Sequence, residues 1–361
     1  MNCTMNIYIV TLVNYDMAIV SYPVPTSCTP LVFLMSTHLE FLDFAQVKFL
    51  CNLHLARTMS DTLGRVKRAF STLTIRDKKE KKREEIVKTL HEIYNSLNPL
   101  PMTIISPSTL ANLSIDLHLF NPEGHTATTF FRPLTAAQLA KYPKDLESYE
   151  VRHHQERKYS DLDKGADWYE AYGGRYTLWD WGENICYMLA WELGIAPRLG
   201  TGKPRPLNNI IKWRGSEGWP VESQYLPMSS SYNEHWEPQY HWRPWREEDS
   251  HIKICQYHGI IGSDGQLLRE ELLVIVGTIC TQMNKERFKK HLVIPVMMFS
   301  FMGERHGRII LAQFDGDSQK LVVHMSKLYR FLAEDEDSLA LFTRYAASVV
   351  EPSGNMEALH G

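Results

Sequence analysis

The fold is decided by the run IKICQYHGII (252–261), SDGQLLREELLVIVGTICTQM (263–283), LVIPVMMFSF (292–301), RIILAQF (308–314), DGDS (315–318) and KLVVHM (320–325). Ile252–Ile261 is rich in β-branched and aromatic residues, the composition of a strand. From Ser263 a helix is predicted, with Leu268, Leu272, Ile275, Val276, Ile279 and Met283 recurring on one face. Lys285, Arg287, Lys289 and Lys290 suit the end of that helix, where the dipole favours cations. Leu292–Phe301 is short and apolar enough for a buried strand. Arg308–Phe314 and Lys320–Met325 flank Asp315-Gly316-Asp317-Ser318, a hairpin turn signal. Glu334, Asp335, Glu336 and Asp337 suit the start of a last helix reaching about Val350. The order β-α-β-β-β-α predicts an α+β fold, with a mostly antiparallel C-terminal sheet flanked by helices.

Upstream of this run the pattern changes. Between residues 200 and 251 stand Pro204, Pro206, Pro220, Pro227, Pro238 and Pro244, with Trp213, Trp219, Trp236, Trp242 and Trp245. Neither a helical nor a strand period survives, so an irregular Trp/Pro-rich middle region is expected, ordered because disordered chains carry few aromatics. Before it, Leu178–Leu193 reads as a helix. Thr177 and Asp180 fit a capping box, Trp181, Ile185, Met188 and Leu189 share a face, and Gly194 and Pro197 stop it. Ile86, Val87, Leu90, Ile93, Tyr94 and Leu97 form the face of another helix, entered through the mixed-charge run 76–85. Met102–Ile105 and Leu113–Phe120 read as short strands, and 135–170 as one or two surface helices.

The chain has 361 residues, of which 44% are hydrophobic and 22% charged, which is ample for a core and excludes a wholly disordered chain. Its net charge of -3 gives no global basic field for a nucleic-acid backbone. Six cysteines without a Cys-x-x-Cys pair speak against a disulfide scaffold or zinc ribbon, and Cys186 and Cys280 read as small core residues of a reducing compartment. Residues 1–36 carry one charged side chain, Asp16, yet no apolar run spans a bilayer and no basic region precedes one. The expected localisation is cytoplasmic or nuclear. The implied organisation is an apolar extension over 1–58, disordered or added upstream of a start at Met59. A helix-rich region follows over 59–199, then the Trp/Pro-rich loop over 200–251, the sheet domain over 252–350 and a tail over 351–361.

Candidate chemistry is sparse. Gly200-Thr-Gly-Lys203 lacks the glycine spacing and the hydroxyl of a phosphate loop. Asp180 and Glu183 sit on one helical turn, too close to straddle a glycosidic bond. His235, His241, Glu247, Glu248 and His251 match no zinc spacing, and His153-His154 reads as a solvated surface feature. The helix-strand-strand-strand-helix order near the C-terminus is that of a nuclease core. Asp315 is available for it, but Leu321–Lys327 lacks the Glu/Gln-x-Lys carboxylate. No cofactor or metal is implied. All nine tryptophans lie between 168 and 245. The run Trp236-Glu-Pro-Gln-Tyr-His-Trp-Arg-Pro-Trp245 has the composition of an interface hot spot. It nominates Trp236, Tyr240, His241, Trp242, Arg243 and Trp245 as a binding surface for another protein, with no specific nucleic acid and no membrane expected as partner.

Val293-Ile-Pro-Val-Met-Met-Phe-Ser-Phe-Met-Gly303, His306-Gly-Arg-Ile-Ile310, Phe314-Asp-Gly316 and Lys327-Leu-Tyr329 resemble a family of filamentous-fungal proteins. The likeness covers about residues 290–345. It implies a fungal source and a shared domain, but no mechanism, because the family carries no established activity. The expected function is therefore non-catalytic protein interaction through the Trp/Pro-rich surface. The alternative is a divergent hydrolase or nuclease-like enzyme with a site near His306, Asp315, Asp317 and His324.

Overall fold

The structure, a computed structural model, describes residues 5–13, 16–24, 78–101, 103–124, 130–155, 177–225, 236–331 and 336–351. Met59, the tail beyond 351, His235 and the side chains of His153 and His154 lie outside the described residues. The chain divides into two units, Met1–Ile75 and Arg76–Gly361. In the first, β1 (Met5–Val13) and β2 (Asp16–Val24) pair as an antiparallel hairpin, from Met5 against Val24 to Val13 against Asp16.

The second unit is built on one sheet. In chain order its elements are α1 (78–97), β3 (Ile115–Leu119), α2 (Leu178–Gly194), β4 (Trp213–Glu217), β5 (Trp236–Pro244) and β6 (Ile252–His258). They continue with α3 (Arg269–Met283), β7 (Val296–Met302), β8 (His306–Asp315), β9 (Lys320–Met325), β10 (Tyr329–Arg330) and α4 (Glu336–Ala346). The sheet order is β3-β9-β8-β7-β6-β5-β4, with β10 also paired to β8. The β6–β7 and β9–β3 pairs are parallel and the others antiparallel. The fold is α+β, with a large mixed, mostly antiparallel sheet flanked by helices. No helix among the described residues is long and apolar enough to cross a membrane.

Strand alternation sends side chains to two cores. On one side Ile254, Val296, Met298 and Ile310 pack with Leu272, Ile275 and Ile279 of α3 and with Ile86, Leu90 and Leu97 of α1. On the other, Cys255, Phe299, Phe301 and Ile309 pack with Ile185 and Leu189 of α2 and with Phe342 and Tyr345 of α4. Both sheet faces are covered, so β6 and β7 are buried at every position.

Several local expectations shift. Helix α2 has its capping box, with Asp180 N–H on Thr177 Oγ1 at 3.3 Å and Thr177 N–H on Asp180 Oδ2 at 2.6 Å. Gly194 stays inside the helix rather than ending it in a left-handed conformation, and Ile195 is the C-cap. Helix α3 starts at Arg269, where the Glu271 carboxylate accepts from the Leu268 N–H at 2.8 Å. It is buried around its whole circumference from Glu270 to Met283 rather than along one face, because α1 and the Val221–Tyr225 segment close its outer side. A Cβ on Gly277 would lie 3.0 Å from Tyr225 Cβ. The basic residues 285–290 lie beyond the helix end, in and around a short turn at Glu286–Phe288. The middle region contributes two strands, β4 and β5, where no periodicity was legible. Of the strand expected over 102–105, the described residues supply a bridge from Ile104 to Leu268. The last helix stops at Ala346, and Val349–Val350 pairs instead with Phe131–Arg132.

Candidate functional site

The nominated binding run is strand β5, and a sheet strand cannot present six side chains on one surface. Its register slips between Pro238 and Tyr240, a β-bulge at Gln239. The bulge leaves Trp236, His241 and Arg243 on the α3 side, while Tyr240 and Trp242 turn to the α2 side. Trp236 is buried edge-on against Trp219, with ring centroids 5.3 Å apart. Trp242 is buried in the other core, stacked on half-buried Tyr240 at 6.2 Å. Trp245 is 37% exposed; its indole N–H donates to Trp213 O at 3.0 Å, and Lys212 Nζ lies 4.6 Å from its ring centroid. So the tryptophans at 236 and 242 fill the interior, and Trp245, Tyr240 and Arg243 are the members of the run that reach toward solvent.

Arg243 is held in place by a neutral imidazole. An arginine only donates, so Arg243 Nη2 gives its hydrogen to His241 Nε2 at 3.1 Å, which leaves Nδ1–H to donate to Gly218 O at 3.2 Å. Burial and the Arg243 charge take the His241 pKa down to about 4. Arg243 Nε is buried with no hydrogen-bond partner among the described residues. The Arg287 charge acts on Arg243, and burial together with Arg243 and Arg287 lowers Lys285 to about 8. Arg214, directly opposite Arg243 in register, is exposed. Among the described residues no carboxylate forms an ion pair with Arg214, Arg243, Lys285 or Arg287. Arg214 stands on β4, the terminal strand of the sheet, whose Arg214, Ser216 and Glu217 side chains are exposed and whose outer edge pairs with no described strand.

The residues of the enzyme alternative are not brought together. His306 and Asp315 cap opposite ends of the ten-residue strand β8. Asp315 is used by its own turn, accepting from Asp317 N–H at 3.0 Å and Ser318 Oγ at 2.7 Å, and Asp317 pairs with Lys82. His324 stacks on His118 at 5.1 Å. No group of three or more described His, Cys, Asp or Glu side chains is placed to hold a metal. An open cavity of about 620 Å³ lies elsewhere, between the Ala136–Leu139 helix and α4, with Tyr142, Arg198 and Arg344 among its lining residues.

Two fully enclosed basic side chains escaped the sequence reading. On the α3 side, Arg308 Nε donates to Glu271 Oε1 at 2.8 Å and Nη2 to Oε2 at 2.5 Å, and both side chains are fully enclosed. His258 and Ser300 hydrogen-bond at 3.0 Å beside them. On the α2 side, Lys253 Nζ donates to Ala346 O at 2.8 Å and Ser348 O at 2.9 Å, and lies 3.5 Å from the Trp213 ring centroid. Partners 37 and 93 residues away leave no local pattern to find.

No family model, curated protein or solved structure matches this chain.

Proposed function

We propose that this chain is a non-catalytic protein-interaction protein that takes an extended, acidic segment of another protein along the open edge of β4. The observation that carries the reading is that edge itself. A terminal strand presents unpaired backbone donors and acceptors, which an added strand satisfies. Arg214 stands on it and Arg243 opposite, with the Arg287 charge acting on Arg243 and no described carboxylate in an ion pair with Arg214 or Arg243, so an incoming segment with Asp or Glu at alternate positions supplies the missing counter-charge. Trp245 supplies a part-exposed aromatic anchor at the strand's end.

A photo-reactive side chain placed at Ser216 should cross-link to one defined protein in extract of the native cell. The same group at Ile261, which is 68% exposed and away from this edge, should not. Arg243→Ala together with Arg287→Ala should weaken the Ser216 product at least tenfold, and raised salt should do the same. Equal labelling from both positions would remove the reading.

A further inference from the structure

We propose that Cys186 and Cys255 are joined by a disulfide that fastens helix α2 to the central strand β6, a site independent of the edge-binding reading. The geometry follows from how closely the two elements approach. At Gly182 an added Cβ would lie 3.0 Å from Tyr257 Cβ and 3.5 Å from His258 O, so the helix backbone rests almost on the strand. Four residues along a helix advance about 6 Å, and two residues along a strand advance about 6.6 Å. Moving that far from the Gly182–Tyr257 contact brings position 186 opposite position 255. Both cysteines are fully buried as free thiols, and their sulfurs stand 2.6 Å apart, about 0.6 Å beyond a bonded pair. In this reduced form the Cys255 thiol donates to Cys186 O at 3.7 Å. The surroundings are apolar: Ile185, Leu189, Met297 and Phe299 share this core.

Closing the bond breaks both S–H bonds and forms one S–S bond. Two electrons and the two protons pass to a small-molecule disulfide, whose S–S bond breaks and which departs as two thiols. The reaction takes place before α2 docks, while both thiols are accessible, and the finished core then keeps reductants out. The link closes a loop across 69 positions, a span over which a cross-link restricts the unfolded chain substantially. Cys280 is the internal control. It is buried in the opposite core beside Tyr225 and has no cysteine neighbour among the described residues.

The test uses the full-length chain. Cells are lysed directly into guanidinium containing N-ethylmaleimide, so that every free thiol is blocked before air oxidation; the protein is then reduced and labelled with iodoacetamide. Peptide mapping should show N-ethylmaleimide on Cys280 and the second label on Cys186 and Cys255. N-ethylmaleimide on Cys186 and Cys255 in most molecules overturns the proposal. As a second readout, protein reduced in denaturant and refolded in reductant should melt roughly 5 °C or more below the oxidised form. Cys280→Ser should keep that difference and Cys186→Ser should abolish it. A wild-type melting temperature indifferent to prior reduction also overturns it.

Discussion

The two faces of the sheet each enclose a basic side chain, and they accommodate it differently. On the α3 side Arg308 meets the Glu271 carboxylate through two hydrogen bonds, and its Nη1 donates to Gln266 O at 2.6 Å. On the α2 side Lys253 meets no carboxylate among the described residues. It caps the carbonyls that end α4 and lies against the Trp213 ring, whose own N–H donates to Ser348 O at 3.0 Å. The first arrangement is strong only while both partners are present, because either alone is an uncompensated buried charge. The second is a lysine that burial pushes well below its ordinary pKa, with dipoles and a π face as its counter-charge. One face therefore depends on a pair, while the other depends on the end of a helix.

The largest test of this contrast is Glu271→Ala. It strands Arg308 in the core and should cost about 3–5 kcal/mol, read as a lowered denaturant midpoint or loss of folded protein. Glu271→Leu with Arg308→Met should recover most of that loss. If the double variant is no better than the single one, the pair is not what the α3 face depends on. Lys253→Met should cost less, about 1–3 kcal/mol, since it takes a donor from the neutral carbonyls of Ala346 and Ser348, the second of which keeps the Trp213 N–H, rather than stranding a charge. A Lys253→Met loss as large as that of Glu271→Ala would erase the distinction.

The smallest and most graded test is pH. Burial lowers His258 and His241 to about 4 and His251 to about 3. The unfolded chain protonates these rings near pH 6.5 and the folded one does not until about 4, so stability should fall steadily as pH drops through that window. Burial opposes ionisation of Glu271, but Arg308 and the hydrogen bonds around it hold the carboxyl below its usual value of 4.5. Its contribution is present above 4.5 and is lost last, as pH falls through the lowered folded value. Lys253 acts at the other end of the scale. With its folded pKa lowered, stability should rise as pH climbs from that value toward 10.5, and Lys253→Met should flatten the rise. Denaturation midpoints across about pH 2 to 10 read all three effects, and a curve flat from 6.5 to 4 would mean that the buried histidines are not neutral.

How much of this was readable in the sequence depended on how local the signal was. Strand β9 matches Lys320–Met325 end to end, because Leu321, Val323 and Met325 alternate cleanly with outward residues. The α2 capping box was legible from Thr177 and Asp180 alone. The face of α1 was legible as well, with Ile86, Leu90, Ile93, Tyr94 and Leu97 buried as spaced. Helix α3 was placed, but its full enclosure was not foreseen, since an all-round apolar helix differs from a one-sided one only in what packs against it. Strand β5 was missed because its bulge at Gln239 breaks the period of two and Pro238 reads as a stop. The six-residue candidate surface was legible as a composition but not as a split between two faces. The Glu271–Arg308 and Cys186–Cys255 meetings, 37 and 69 residues apart, exist only once the sheet is assembled.

The single extra residue in β5 offsets the sequence period of everything downstream on that strand. Removing Gln239 would place Pro238 and Tyr240 consecutively opposite Gln256 and Cys255, so Trp236, His241 and Arg243 would keep the α3 side and Tyr240 and Trp242 the α2 side. Losing one residue there is absorbed by losing the bulge, whereas losing two would scramble the inside and outside of the sheet's border. The site should therefore tolerate a one-codon deletion but not a two-codon one.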